Sequence, residues 1–561
     1  MDPINPLFLW LNSSPAGYGW ISWVAFACTV AGAVTAPRDF LTPANWRSRV
    51  FFGLGIILTF AGFRWPGWFF PSDFNPDEAQ ILAGAITLKR FPVYWKYVDG
   101  TTHGPLCELP LVLAGWLGAP LNYVTARAMA ALLQAFSVIA VWRTLRCFAS
   151  ERVARLSALP ALAFWVFSPS HEFIHYSSEL TGVALLSLAS WALARAFTAP
   201  VDGRYPAWWM FGAGFALGAM PFAKLQSAPQ AAALAVSALI VLWRLTTVSS
   251  TARRILGRCL IVGGLVVPVV TFVFLLTYGL IDQFKFSYLL SGIDYSKAGI
   301  PLSEMPNRFL TLSVADYFFA WFFIGTLAFV LLYARQALRA GVGVRMAQLA
   351  GWVQLAAALA CVVLPGRESP HYLHLLIIPA TLLAGAVLAG AVGRPKNAGD
   401  HTPAAWPVFV TFVALTLVPQ IYQRINIPPG DSDELARDRP TRSAAATVIL
   451  REAKPADTLA MWGWEPNLYV ETGLAQATRE AHTALEIAAT PLQSFYLNRY
   501  LRDMSQRKPR WFVDAVGSGA FMYTDRGLYG HEMHPALDHL VASEYEFVGE
   551  FGNKRVYRRK Q

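Results

Sequence analysis

Apolar residues in this chain come in runs of about 20, broken by short polar stretches, a length that matches the hydrocarbon core of a bilayer when helical. The first run extends from about Tyr18 to Ala36 and the second from Val50 to Phe70. Further spans are predicted at 122–143, 156–172, 178–197, 207–222 and 228–246, followed by one ending at about Leu280. Two more bracket Arg335, Arg339 and Arg345, one lies between 366–374 and 393–397, and a last one ends near Val418. The expected total is about 12 spans. Beyond them the pattern changes. TLAMWGW, PRWFVDAV and YEFVGEF read as buried strands, and SAAATVILREA, PLQSFYLNRYLRDMSQ and HPALDHLVAS read as amphipathic helices. The chain therefore divides into a membrane part, 1–420, and a small C-terminal α/β domain, 421–561.

Cations set the expected orientation. Arg38, Arg47 and Arg49 form one cluster, and Arg143, Arg146, Arg152 and Arg155 form a stronger one; both read as cytoplasmic. Both termini, the stretch 71–108, HEFIHYSSEL (171–180), Lys224, the 281–308 loop and GRESPHYLH (366–374) then fall on the outer face. Only one crossing fits between His103 outside and Arg143 inside, so 105–121 reads as a re-entrant or interfacial segment. Arg64, near the end of its span, is expected to snorkel to the interface. Asn12-Ser13-Ser14 has the N-glycosylation pattern.

Composition supports the membrane class. Of 561 residues, 55% are hydrophobic and 14% charged, where a soluble enzyme carries roughly a quarter charged. Mean hydropathy is +0.39. The net charge of +11 is spread in small clusters between apolar runs, which argues against nucleic-acid binding. Five scattered cysteines offer neither a disulfide framework nor a zinc spacing. The N-terminus lacks the basic region of a secretory signal, so the first run reads as a retained anchor. No internal repeat is visible, which argues against a repeat-built transporter.

Candidate chemistry concentrates between Phe70 and Pro110. Asp73, Asp77 and Glu78 fall close together, followed by Arg90, Lys96 and His103. Arg127, Glu179, Lys224, Arg367 and His371 join them at the outer ends of other spans. Charged groups at membrane depth are costly and point to function; here they fit a reaction on a phosphorylated lipid. The plainer alternatives are a solvated loop, Asp77 on the dipole of a helix starting after Pro76, and Glu179 as the cap of its span. Trp65 and Trp68 suit an interfacial belt, and Trp462 and Trp464 are expected to pack the C-terminal domain against the membrane part.

Motifs then stand in order along the chain, as four features of the membrane part and one of the segment after its last span. Asp77-Glu78-Ala79 sits in the first large outer loop, and His103-Gly104-Pro105-Leu106 closes that loop like a (K/H)PPL element. Ser178-Glu179 opens a later span, and Ala223-Lys224 resembles the lysine of a GxxxxTKG-like turn. Pro370-His371-Tyr372, with Leu376 and Pro379, resembles an HYxxxLxxP element, and MWGWEPNLYVETGL resembles a WGWxPxxY element. Together these resemble the GT-C superfamily of membrane glycosyltransferases, in the branch containing protein O-mannosyltransferases and the lipid A aminoarabinose transferase. The departures are an added N-terminal span, Gly104 for Pro, and His371 where some relatives have Arg, for which Arg367 can compensate.

The resemblance implies a GT-C-like polytopic α-helical protein of a cell membrane, expected to be the bacterial inner membrane, with its active site and C-terminal domain extracytoplasmic. It implies transfer of a sugar from a polyprenyl-phosphate donor to a glycan, lipid or protein acceptor, with inversion. Asp77 is expected to be the base. Glu78 or Asp73 would orient it or hold a divalent cation; no other cofactor is implied, and the metal is left open. Lys224, Arg367, His371 and Tyr372, with His103 and Arg127 behind them, would face the donor phosphate. Glu179 and Lys96 would bind substrate. The alternatives are a glycan ligase using a diphosphate lipid, and a lipid-linked sugar transporter or flippase.

Overall fold

The computed structural model describes residues 15–42, 44–199, 205–244, 249–297, 301, 303–314, 316–338, 340–392, 405–426 and 442–561. The Asn12 sequence pattern, Arg339 and the 393–397 stretch lie outside these residues. A helix stands at every expected span, and among the described residues nine helical stretches are long and apolar enough to cross a membrane. Pro15–Val34, Glu151–Phe167 and Tyr205–Ala223 occupy the remaining positions. The protein is a multi-pass membrane protein.

The stretch Pro370–Val392 is apolar on every side because it stands in the middle of the bundle, with 89% of its most apolar window buried. It packs between Tyr317–Ala337, Val342–Val363 and Glu151–Phe167. Tyr205–Ala223 and Ser250–Tyr278 approach more closely than ordinary side chains allow. A Cβ on Gly214 would stand 2.0 Å from the Leu260 carbonyl oxygen, and one on Gly263 would stand 2.1 Å from that of Phe211, the small-residue contact by which membrane helices gain packing.

Polar groups collect at both ends of the bundle. At one end Glu151 accepts from Arg155 (2.9 Å), Arg146 (3.0 Å) and the Trp142 indole (3.0 Å). Arg64 belongs to the opposite end and does not snorkel: it is buried and donates to the carbonyls of Ser168 and Phe173. Those carbonyls end the neighbouring helix and its following turn, so they have no intrahelical partners of their own.

Two short helices join the spans at the Arg64 end. Pro76–Arg90 begins as its sequence dictates: the Asn75 side chain caps it, Pro76 occupies the first turn, and acidic and basic residues stand at the matching ends. Pro105–Trp116 has 12 residues, about 18 Å of helix, so it cannot cross the bilayer and lies against the bundle. The region expected as a long loop after Leu280 is helical instead, as Ile281–Phe284, a π-type turn Lys285–Leu290, and Ser291–Lys297.

The C-terminal domain holds a five-stranded sheet in the order β2-β1-β3-β5-β4: β1 (Thr458–Trp462), β2 (Ala475–Gln476), β3 (Trp511–Asp514), β4 (Tyr545–Phe551) and β5 (Lys554–Arg559). The three expected strands are β1, β3 and β4. β1 pairs in parallel with β2 and β3, while β5 and β4 form an antiparallel hairpin turning at Gly552 and Asn553, both at positive φ. Trp462 does not reach the membrane part; it fills this domain's own core and donates to the Tyr529 carbonyl. The domain docks on the Pro76–Arg90 helix. Ala83 enters its core, Gln476 N–H donates to Thr87, and Arg90 donates to the carbonyls of Pro455, Ala456 and Asp457.

Candidate active site

The first large loop is held by one buried ion pair. Arg127 projects from the Tyr123–Leu145 helix and meets Glu78 at 2.7 Å, both without solvent exposure. Its remaining N–H groups go to the carbonyls of Gly67, Phe70 and Ser72, and its guanidinium lies 4.0 Å from the Phe74 ring centre. Glu78 also accepts from the backbone N–H groups of Phe74 and Tyr176. All five guanidinium hydrogens are therefore used. Glu78 and Arg127 fold the loop; neither keeps a group for a metal ion, for Asp77 or for a phosphate.

Asp77 is held differently. Its N–H donates to Asn75, and its carboxylate is 38% exposed and 3.9 Å from His371 Nε2. His371 arrives on the 3-10 turn Pro370–Leu373 that opens the central helix. Its Nδ1 lies 2.6 Å from Glu172 Oε2, and Glu172 Oε1 accepts from Asn75 at 3.2 Å. The residue that caps the Asp77 helix thus also anchors the group that positions His371. Burial pushes the Glu172 carboxyl up, but bonds from His171 and His371 outweigh it and hold it below the usual range.

Lys224 stands in the extended break before Leu225. It is buried, donates to Ser178 Oγ at 2.9 Å and to Glu179, and lies 4.6 Å from the Tyr372 ring centre. The Tyr372 and Tyr295 hydroxyls are 2.6 Å apart, and the exposed Arg367 covers Tyr295 at 4.5 Å. Asp77, Glu179, Lys224, Arg367, His371 and Tyr372 are thus linked through short contacts, with His371 and Tyr372 on one turn and the others from other parts of the chain.

Gly104 explains its own departure from the proline pattern. Its N–H donates to the Ala223 carbonyl at 2.8 Å, and a Cβ there would stand 2.3 Å from the Phe222 carbonyl oxygen. The backbone of this position touches the turn that presents Lys224. Cys107 donates from the next turn to the carbonyls of Ser178 and Ala223.

The other expected residues lie elsewhere. His103 is buried with Nε2 2.8 Å from Glu108. Lys96 is exposed with its ammonium over Tyr97, beside the C-terminal domain, where Arg507 donates to its carbonyl. Asp73 faces that domain too, and burial, with Glu78 and Glu465 nearby, pushes its carboxyl up to about 6. From the domain side, burial holds the His482 imidazole down to about 4, although Asp77 pulls it upward. Trp464 stacks on His482 with ring centres 4.0 Å apart. Below them Arg499 joins Asp99 of the loop (2.6 Å) to Glu480 of the domain.

Sequence reasoning missed Asn75, Glu172, His175, Tyr295 and His482. The HEFIH spacing of residues 171–175 was available as a signal for Glu172 and His175, and the Asn75-Pro76 helix start for Asn75; nothing local marked Tyr295 or His482.

No family model and no curated protein matches this sequence. Solved structures do. ArnT from Cupriavidus metallidurans bound to undecaprenyl phosphate is 14% identical and superposes with a TM-score of 0.57, over 91% of this chain and 98% of that one. The apo state of the same protein gives 0.48 at 14% identity, over 90% and 98%. The S. cerevisiae Pmt1-Pmt2 protein O-mannosyltransferase complex bound to the sugar donor gives 0.34 at 18% identity, over 43% and 35%. The chain shares the fold of ArnT, a member of the branch that the motifs resemble.

Proposed function

We propose that this chain is a membrane glycosyltransferase that moves a sugar from a polyprenyl-phosphate donor to a glycan, lipid or protein acceptor on the extracytoplasmic face. The observation that carries the reading is the convergence of a partly exposed carboxylate, Asp77, with cations from two other elements, His371 and Lys224. The undecaprenyl phosphate bound by ArnT, whose fold this chain shares, supports the same donor class.

In this reading the acceptor hydroxyl oxygen attacks the anomeric carbon as the bond from that carbon to the phosphate oxygen breaks. The hydroxyl proton passes to Asp77, and the electron pair leaves on the polyprenyl phosphate. Attack opposite the leaving group inverts the anomeric centre. The phosphate is a good leaving group, so the demand is for a base and for positive charge on the departing oxygens. Glu179 neutralises Lys224 and Glu172 pairs with His371, which leaves Arg367 to supply net charge while Lys224 contributes its remaining N–H. His371 is positioned to orient Asp77 as well.

The test is transfer by the purified protein from undecaprenyl-phosphate sugars. Asp77→Asn should lower transfer by roughly 10²–10⁴ and leave donor binding intact. Transfer at the wild-type rate by that variant would overturn the role of Asp77. Donor that binds and crosses the bilayer without transfer would favour a transporter.

A further inference from the structure

The geometry points to a binding site for an anionic saccharide at the seam between the first large loop and the C-terminal domain, remote from Asp77. A cavity of about 360 Å³ opens there, with Arg90, Phe91 and Tyr97 on the loop side and Arg507, Lys508 and Arg510 on the domain side. Among the described residues, four cations line it against one carboxylate, Asp457. That carboxylate accepts from the Lys454 N–H at 2.9 Å.

The cations are held in place without being neutralised. Arg90 donates to the carbonyls of Pro455 (3.4 Å), Ala456 (2.6 Å) and Asp457 (3.3 Å). Arg510 donates to the Arg559 carbonyl at 2.7 Å, and Arg507 to those of Ala477 at 3.0 Å and Lys96. A carbonyl accepts a hydrogen bond and leaves a guanidinium its full charge. Arg507 does have a carboxylate nearby, Asp503 at 3.5 Å, but Arg479 engages Asp503 more closely at 3.2 Å. Aromatic faces complete the support. Phe91 and Tyr97 stack with ring centres 5.0 Å apart. Arg90 lies 4.8 Å from the Phe91 ring centre and Arg507 4.9 Å from that of Tyr97, so cations and rings order one another. Lys96 adds a further cation, 5.5 Å from the Tyr97 ring centre.

Fixed positive charge in a concave site concentrates anions, and the planar fork of Arg suits phosphate and carboxylate alike. The volume lies in the range of small-molecule sites. It equals the liquid volume of roughly a dozen waters, more than a lone phosphate or carboxylate fills. Phe91 and Tyr97 give the remaining space an apolar wall, which suits a sugar ring. Asp77 stands in the first turn of the helix that Arg90 ends, about 20 Å away along its axis. The cavity therefore holds a part of the ligand far from the reacting hydroxyl. That this ligand is an acceptor glycan rests on the transferase reading; that the cavity takes an anion does not.

Binding can be measured without turnover, so it can fail while Asp77-dependent transfer stands. The full-length protein in detergent should bind glucose 6-phosphate or glucuronate saturably in calorimetry. Glucose and inorganic phosphate should bind roughly tenfold more weakly or worse. The tighter of the two charged sugars tells a phosphate ligand from a carboxylate one. Lys508 has a left-handed backbone, φ 50°, which Asn tolerates, and a Gln at 510 can still donate to the Arg559 carbonyl. Lys508→Asn and Arg510→Gln should each weaken binding roughly tenfold. Arg367→Ala, in the candidate active site, should not change it. Wild-type protein that binds neither charged sugar overturns the proposal. So does inorganic phosphate that binds as tightly as they do, and so does binding that survives the Lys508→Asn, Arg510→Gln double variant but is lost with Arg367→Ala. Attachment to phosphatidylglycerol vesicles that needs Lys508 and Arg510, without binding of either sugar, would overturn it in favour of a membrane contact.

Discussion

Glu78 and Arg127 form a fully buried ion pair at 2.7 Å, 49 residues apart in sequence. Breaking such a pair from one side leaves an uncompensated buried charge, which typically costs about 3–5 kcal/mol. Arg127→Ala and Glu78→Ala should both unfold at clearly lower temperature than wild type. Arg127→Lys should not restore stability, because an ammonium cannot reach the carbonyls of Gly67, Phe70 and Ser72 together with Glu78. Thermal unfolding in detergent measures this; a Lys variant as stable as wild type would show that charge alone matters.

Asp77 is expected to act in turnover and to add little to folding. Its carboxylate is partly exposed, and its helix is capped by Asn75. Asp77→Asn should lower the transfer rate by roughly 10²–10⁴, with an unfolding temperature within a degree or two of wild type. Equal loss of stability and activity would instead assign Asp77 to the fold.

Lys224 and Glu179 combine a structural with a functional role, and a double variant separates them. Lys224→Met alone leaves Glu179 buried without its charge partner and should destabilise the protein. Lys224→Met with Glu179→Leu removes both charges and should recover most of that stability. Donor binding, read by displacement of a labelled polyprenyl phosphate, should stay weak in both. Recovery of binding in the double variant would remove Lys224 from the phosphate site.

Gly104 is held by contact with the Lys224 turn. Gly104→Ala places a methyl group 2.3 Å from the Phe222 carbonyl oxygen, so the backbone on one side must move. The expected result is a large loss of transfer with a moderate fall in unfolding temperature. Transfer at the wild-type level would show that this turn tolerates displacement.

The loop and the C-terminal domain should respond to pH in two opposing ways. Burial, with Glu78 and Glu465 nearby, pushes the Asp73 carboxyl up from 3.8 to about 6. Between those values the folded state binds more protons, so stability rises as pH falls through this window, and the penalty is fully present above about 6. Asp73→Asn should therefore stabilise at pH 7 and make little difference near pH 4. His482 has the opposite sign: its value drops from 6.5 to about 4, so stability is lost as pH falls between them. Unfolding temperatures of Asp73→Asn and of His482→Gln relative to wild type at pH 7, 5.5 and 4 test both signs.

The periodicity of the sequence sufficed for the spans, the three longer-recognised strands and the start of the Asp77 helix. Each depends on neighbours along the chain: apolar length, alternation, and the Asn75-Pro76 cap followed by acidic residues. The ordered motifs likewise pointed to Asp77, Lys224 and His371, because each lies at the end of a recognisable element. Sequence could not say which charges face one another. Glu78 adjoins Asp77 in the chain, but helical rotation sends it inward to Arg127 while Asp77 turns toward His371. Arg64 looked like an interfacial cation until the carbonyls of Ser168 and Phe173 arrived beside it. Glu172, His175 and His482 acquire meaning only when the central helix and the C-terminal domain pack against the loop. A charge becomes a ligand, a clamp or a base according to what lies within a few ångströms of it, and that distance is set by tertiary packing.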